Sequence, residues 1–502
     1  MATDSPTASF EDALEGLPFR YLKEVAREDG FPLYVIGGYV RDYFLNKAKK
    51  VDPKDIDVVT TGSGPDAAEA FAKRAGASKV VTFRNFGTAM VRLGDWEIEF
   101  VGARKESYAR HSRKPNVTPG TLQDDQLRRD FTINALSLSL NPENYGDLID
   151  PFRGLHDLKE GIIRTPRDPD ITFSDDPLRM LRAVRFASRL QYRIAPETYQ
   201  ALRNNAARLE IVSKERIADE FNKILLTDKP SVGLLLLFKT GLLRYVLPEL
   251  EAMQGVEERE GIRHKDNFYH TLKVVDNLAE KSENLWLRWA ALLHDIGKPR
   301  TKRFQPGQGW TFHGHEDVGA RMVPKIFRQL KLPMGTERKY VQKLVRLHQR
   351  PIALAGGEVT DSAIRRIVVE AGEELDDLLT LCRADITTRS QQRYQRYLAN
   401  YAALEERIHH VLERDRLRNW QPPIGGQEIM ETFNLKPSKV VGEIKNAIRE
   451  AILEGEISND PEAARWYMYH TARKILGKEH VPEIPTPPES ISAQDVTDDS
   501  SQ

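Results

Sequence analysis

Cysteine is nearly absent: Cys382 is the single one in 502 residues. A lone thiol forms no internal disulfide, which excludes a disulfide-built scaffold and fits a reducing compartment. Uncharged apolar runs near the roughly 20 residues that a membrane helix needs are also missing. The first residues, MATDSPTASFEDALEG, are acidic and have no apolar core, so they do not read as a secretory signal. A cytoplasmic protein without membrane contact is expected. Nor is there an excess of either charge: 74 Lys and Arg balance 74 Asp and Glu. That balance argues against an overall basic nucleic-acid binder, but not against a local patch. One such stretch spans 104–130, where seven Arg and Lys face four Asp and Glu. On charge alone it reads as a solvated loop.

A chain of this length exceeds one hydrophobic core, so several domains are expected. Its first part mixes element types. FPLYVIGG reads as a strand running into a turn, and DIDVVTTG as a second strand. ASKVVTFRNFGTAMVRLGDWEIEFVGAR reads as further antiparallel strands, with Gly94-Asp95 as a turn signal. From about Asp150 the apolar spacing becomes helical, as in PLRMLRAVRFASRL and ERIADEFNKILL, and stays so almost to the end. From Val481 the chain is rich in Pro, Ser and Asp and reads as a disordered tail.

The stretch VIGGYVRDYFLNKAKKVDPKDIDVVTTG carries the first constellation. In a strand, residues i and i+2 share a face, so Asp55 and Asp57 aim two carboxylates the same way. Like charges that close repel unless a cation lies between them, and Mg²⁺ often joins one or two carboxylates to substrate phosphates. Gly37 and Gly38 let a phosphate approach the backbone closely. Arg41 can add a bidentate phosphate contact. A third carboxylate would complete a two-metal site. WEIEFVGAR offers Glu97 and Glu99 on one face, either of which alone could be a solvent-facing strand residue.

GGYVRD with DID resembles the head of the bacterial-type tRNA nucleotidyltransferases, which share a superfamily with DNA polymerase beta. LRRDFTINALSL, LIDPFRGLHDLK, SDDPLRMLRAVRFASRL and VSKERIADEFNKIL resemble that family's next four motifs, in its order. The resemblance implies an α+β protein: a polymerase-beta-like nucleotidyltransferase head with a small mixed or antiparallel sheet over 1–147, then all-α domains. These are a neck over 148–262, an HD domain over 263–390 and a C-terminal region over 391–480, ahead of the tail 481–502. It implies catalytic carboxylates at Asp55, Asp57 and Glu99, with Glu97 as fallback. Arg129 would contact the triphosphate, with Asp130 and Asn134 as head positions of the same motif. Phe131, Ile133 and Leu136 read as core.

Asp176, Arg179, Arg182 and Arg185 stand three apart, so on a helix they share a face. A carboxylate accepts hydrogen bonds and a guanidinium donates them, so together they can read a nucleobase edge without a template. The resemblance implies that Asp176 and Arg179 read cytosine and then adenine, while Arg182 and Arg185 reach phosphates. Asp175 stands where the family usually has Glu, which keeps the charge. The basic stretch 104–128 falls where the family carries a flexible loop needed to add the final A.

A second constellation lies further on: His270, His294 with Asp295 in HDIGK, His315, His348 and Asp385. Imidazole and carboxylate together suit transition metals. The order resembles the all-helical HD phosphohydrolases, in which a metal activates water against a phosphoester. His313 falls outside that pattern, and His264, His409 and His410 read as surface histidines. The segment from Arg414 resembles the family's C-terminal helices; Arg414, Arg416, Arg418 and Lys436 could meet RNA phosphates or simply line a solvated face.

The leading reading is a template-independent enzyme that completes the 3′ CCA end of tRNA from CTP and ATP. Mg²⁺ would serve the head, and Ni, Mn, Co or a similar ion the histidine site, with no obligate protein partner. Poly(A) addition, or addition of only CC or only A, stays open. So does a phosphohydrolase whose head merely binds nucleotide.

Overall fold

A computed structural model describes residues 9–45, 55–83, 87–107, 116–263, 266–355, 360–388, 390–415 and 422–488. Part of the basic loop (108–115), His264, Arg416, Arg418 and the tail beyond 488 lie outside the described residues, as does the side chain of Arg414. The chain divides into two compact units, one of residues 1–254 with 328–332, the other of 255–327 with 333–502. No described helix is long and apolar enough to cross a membrane.

The head of the first unit is a seven-stranded sheet. Its strands are β1 (Leu33–Ile36), β2 (Asp55–Thr60), β3 (Val80–Phe83), β4 (Thr88–Leu93), β5 (Trp96–Gly102), β8 (Ser137–Ser139) and β9 (Leu148–Ile149), and β6 (Arg104–Ser107) pairs with β7 (Asn116–Pro119) as a separate hairpin. The order is β3-β4-β5-β2-β1-β8-β9. Neighbours are antiparallel except β2 and β5, so the sheet is mixed. In β2, Ile56 and Val58 are buried while Asp55 is exposed and Asp57 half-buried. That alternation turns both aspartates away from the core. α1 (Leu17–Glu28), α2 (Gly38–Leu45) and α3 (Gly64–Ala75) flank the sheet, with Phe71 against Phe100 beneath α3.

α4 (Leu122–Leu127) and α5 (Gly154–Glu160) close the head, and the neck follows as α6 (Pro169–Asp175), α7 (Leu178–Leu190), α8 (Pro196–Asn205), α9 (Lys214–Leu225), α10 (Pro230–Lys239), α11 (Leu243–Val246) and α12 (Pro248–Glu251). One expectation needs correcting. Asp176 is not on the helix with the arginines: it occupies the break between α6 and α7, with extended backbone at φ −134°. Pro177 causes this, because its ring disfavours helical backbone in the preceding residue. The freed Asp176 carboxylate accepts from the Leu178 N–H at 3.2 Å and caps α7.

The second unit is helical: α13 (Asn267–Ala279), α14 (Leu285–Leu293), α15 (Lys298–Thr301), α16 (His315–Gln329), α17 (Thr336–Leu347), α18 (Gln349–Ala355), α19 (Asp361–Ala371), α20 (Leu375–Ala384), α21 (Gln391–Asp415), α22 (Gly426–Phe433), α23 (Lys439–Glu454) and α24 (Pro461–Leu476). Short two-stranded ribbons interrupt the expected all-helical region, at 162–163 with 193–194, 258–259 with 262–263, and 303–305 with 309–311. α22 to α24 share a core of Ile429, Ile444, Ile448 and Trp466. Val481 is buried in that core and Ile484 packs on it, so the first residues of the expected tail are docked.

Gly154 opens α5 where a Cβ would come 2.2 Å from the Thr132 carbonyl oxygen. Gly154→Ala should therefore destabilise by roughly 1–3 kcal/mol through overpacking. Gly442→Ala, inside α23 with nothing within 4 Å, should stabilise by up to about 1 kcal/mol. Urea unfolding of both variants checks the pair; equal effects would contradict the packing.

Candidate active site and metal centre

β1 ends at Ile36, and Gly37 turns the chain into α2 with φ +84°, a backbone few side chains adopt. A Cβ on Gly37 would meet Arg129 Nη1 at 2.9 Å and Asp57 Oδ2 at 3.2 Å. The glycine therefore leaves room for the two groups that converge over it. The parallel register sets Asp57 beside Glu99 and Asp55 beside Glu97. Burial pushes the Asp57 carboxyl up, with Asp125 and Asp55 adding to the rise against Arg129. Burial and then Asp57 raise Glu99. Glu97 is engaged elsewhere, by Arg92 at 2.9 Å. A face of hard carboxylates short of countercharge fits a hard divalent cation that brings its own waters. Arg129 Nη1 lies 3.9 Å from Asp57, and its Nε donates to Asp125 Oδ2 at 3.4 Å. Asp125, fully buried, also holds Arg128 at 2.8 Å and so fixes both arginines.

A buried polar chain runs from the head into α7. Arg41 Nη1 donates to Asn134 Oδ1 at 2.6 Å, Asn134 Nδ2 donates to Asp130 Oδ1 at 2.9 Å, and Arg182 Nε donates to Asp130 Oδ2 at 2.7 Å. Arg185 Nε lies 2.7 Å from Glu220 Oε2. Arg41, Arg182 and Arg185 sit 5.1, 5.6 and 4.5 Å from the buried Phe186 ring, within cation–π range. Arg179 is also buried, with no partner for its Nη1. Asp176 lies 3.4 Å from Arg216 Nη2. Gly38 opens α2, 3.6 Å from Arg41 Nη2 by its ideal Cβ position.

Sequence reasoning passed over Asp125, Glu220 and Arg216. Asp125 had a readable signal, since it precedes Arg128 and Arg129 by one helical turn. Glu220 interrupts the apolar stripe of ERIADEFNKIL, between Ile217 and Phe221, and is buried there.

In the second unit, α13, α14, α16, α17 and α20 bring the six predicted ligands together. Asp295 Oδ2 lies 3.2 Å from His294 Nε2 and 3.6 Å from His270 Nε2, and its Oδ1 lies 3.2 Å from His315 Nε2 and 3.8 Å from His348 Nε2. Asp385 Oδ1 completes one side, 2.8 Å from His270 Nε2. Two groups, His270-His294-Asp385 and Asp295-His315-His348, each gather ligand atoms within 4.8 Å of one another.

The outer nitrogens settle the tautomers. Nδ1 of His294, His315 and His348 faces the carbonyls of Ala291, Phe312 and Val345 at 2.7, 2.8 and 2.7 Å. A carbonyl only accepts, so each Nδ1 carries the proton and each Nε2 of a neutral ring presents a lone pair inward. His315 and His348 then oppose two lone pairs at 3.4 Å. His294 Nε2 and Asp295 Oδ1 are buried without a hydrogen-bond partner. Cations resolve both, and a nitrogen-rich donor set suits transition metals. Burial lowers His270 and His348. Burial would raise Asp385, but the His270 bond holds it at about 2. Lys298 reaches Asp295 Oδ2 at 2.5 Å, a partner sequence reasoning did not name. His313, His409 and His410 are exposed.

The fold and the first site define a class: a nucleotidyltransferase with a polymerase-beta-like head and an appended HD domain. Comparison with known proteins agrees. Residues 33–164 match the poly A polymerase head domain, 191–254 the probable RNA- and SrmB-binding site of polymerase A, and 267–390 the HD domain. The A-adding tRNA nucleotidyltransferase of Deinococcus radiodurans is 33% identical over 455 residues, covering 88% of this chain and 96% of its own. The CC-adding enzyme of Thermus thermophilus is 29% identical, over 91% of this chain and 97% of its own. The fold matches that of the Bacillus stearothermophilus CCA-adding enzyme crystallised with CTP, with a TM-score of 0.64 at 24% identity over 92% of this chain and all of the other. The chain belongs to the tRNA nucleotidyltransferase family.

Burial would raise the Asp130 carboxyl, but Arg182 with Asn134 outweighs it and holds it below the usual range. A depressed carboxyl contributes stability above its unfolded pKa near 4 and loses it as pH falls through the folded value. Asp130→Asn should cost roughly 1.5–3 kcal/mol at pH 7. The gap to the parent protein should narrow below pH 4. Urea unfolding at pH 7 and 3.5 checks this, and a constant gap would contradict it.

Proposed function

We propose that this enzyme completes the 3′ CCA end of tRNA, taking CTP and then ATP without a nucleic-acid template. The observation that carries the reading is the Asp57–Glu99 carboxylate face, set against Gly37 and Arg129. Asp55, Asp57 and Glu99 would hold Mg²⁺, which supplies charge neutralisation at the triphosphate and acidifies the tRNA 3′ hydroxyl. Arg129, oriented by Asp125, grips the triphosphate, and Gly37 leaves it room. Asp176 and Arg179 read the base: the carboxylate accepts from an exocyclic amine and the guanidinium donates to ring acceptors. Arg216 steadies Asp176. Arg182, engaged with Asp130, holds α7 to the head, Arg185 beside Glu220 holds α7 to α9, and Arg41 holds Asn134. Catalysis is mostly positioning and charge stabilisation. The helical neck would take the tRNA through shape and phosphates.

A single-nucleotide version is the second reading, because two A-adding relatives, at 33% and 36% identity, stand beside the CC-adding and multifunctional CCA ones.

His270, His294, Asp295, His315, His348 and Asp385 would bind a pair of transition-metal ions such as Ni, Mn or Co. The metal would supply an activated water for phosphoester hydrolysis. Lys298 and the Nδ1–H bonds keep the ligand atoms facing the site. Nucleotide and tRNA substrates and a buried free thiol at Cys382 suit the cytoplasm.

Asp57→Asn should lower nucleotide addition by roughly 10³-fold or more while leaving phosphoester hydrolysis intact. His294→Ala should do the reverse. Parallel assays with labelled nucleotide and a chromogenic phosphoester check this. Addition surviving in Asp57→Asn would remove the head mechanism.

A further inference from the structure

The histidine cluster opens into a cavity of about 1340 Å³. That exceeds the roughly 300–1,000 Å³ usual for a small-molecule site, so it holds more than a phosphate group. His270 and Asp385 form its metal-proximal end. Part of its lining belongs to α21, which begins at Gln391, beyond the residues 267–390 matched by the HD domain. Tyr394, Tyr397 and Tyr401 recur there at spacings of three and four, so they share a helix face. Tyr401 is buried and donates to the Leu379 carbonyl at 3.0 Å, which fastens α21 to α20. Tyr397 and Tyr394 line the cavity one and two turns earlier. Tyr397 is 43% exposed, and Tyr269, also in the lining, is 48% exposed. Arg396 lies 5.5 Å from the Tyr397 ring and steadies it.

The remaining lining is polar. Asn277, Gln391 and Asn400 offer carboxamides, and Lys273 stands one turn after His270 on α13. Open aromatic faces, amides that can pair with a base edge, and a cation near the metal ligands match a nucleoside phosphate.

We propose that Tyr394 and Tyr397 of α21 form a base-stacking wall that selects nucleoside phosphates for the histidine site, with the phosphate directed to His270 and Asp385. This rests on reading the histidine cluster as a phosphohydrolase. The α21 tyrosines are specificity residues, and Lys273 meets the phosphate. The nucleotide is either free or the 3′-terminal residue of an RNA.

Full-length metal-loaded enzyme is photolabelled with 8-azidoadenosine 3′-phosphate, and the labelled peptides are mapped. Steady-state hydrolysis of adenosine 3′-phosphate and of base-free p-nitrophenyl phosphate is measured alongside. The expected label falls on α21. Tyr394→Leu and Tyr397→Leu should each raise KM for adenosine 3′-phosphate about tenfold, with kcat held and KM for p-nitrophenyl phosphate unchanged. Tyr397→Phe should retain parental KM, because it keeps the ring. A label that spares α21, or Leu variants that move both substrates alike or neither, would overturn the proposal. If no ester is hydrolysed, the phosphohydrolase reading fails, and label on α21 lost in the Leu variants still upholds the wall. An oligoribonucleotide ending in a 3′-phosphate separates the sources: tighter binding than the mononucleotide assigns an RNA end, and equal binding a free nucleotide, both upholding the site.

Discussion

The parallel pairing of β2 with β5 is the constraint on which the head depends. Because register partners point to the same face, it sets Asp57 beside Glu99, and burial first of all leaves both carboxyls easier to protonate than in water. A fold that places two acids so close is storing repulsion that a cation relieves. The surrounding residues then follow from that need. Gly37 is small because Arg129 and Asp57 converge over it, and Asp125 is buried because Arg128 and Arg129 must be aimed.

The second unit solves a like problem with softer donors. One buried carboxylate, Asp295, faces four imidazoles, two on each oxygen. Backbone carbonyls on the outer side of three of the rings fix which nitrogen looks inward. The head thus presents hard carboxylate oxygens and the helical unit a nitrogen-rich set, two different kinds of donor in one chain.

Much of this was readable from short-range spacing. That Asp55 and Asp57 share a face needed only the two-residue period of a strand, while their reading as a site needed the GGYVRD stretch before them, and the histidine set was read from an order that resembles the HD phosphohydrolases. Glu99 and Glu97 were not separable by period, since they share a face; the Arg92 partner that occupies Glu97 depends on how β4 pairs with β5. The extended backbone at Asp176 was legible in principle, because Pro177 follows it, but the regular three-residue spacing of the arginines concealed the break. Asp125 and Glu220 were missed because a buried acid looks in sequence like any charged helix residue. α21 was grouped with the C-terminal helices because the sequence reading started that region at residue 391. Its tyrosines at 394, 397 and 401 instead face the histidine cavity, a long-range contact that no local pattern encodes.

The central claim is that the head adds C and A to tRNA by reading the base with side chains. The most direct measurement gives purified enzyme a tRNA lacking its CCA end, with Mg²⁺ and labelled CTP alone, ATP alone, or both, and reads product lengths on a sequencing gel. The account predicts growth by two residues with CTP and by a third only when ATP is added. A long ladder with ATP alone, growth only from an end already carrying CC, or no growth at all would contradict it.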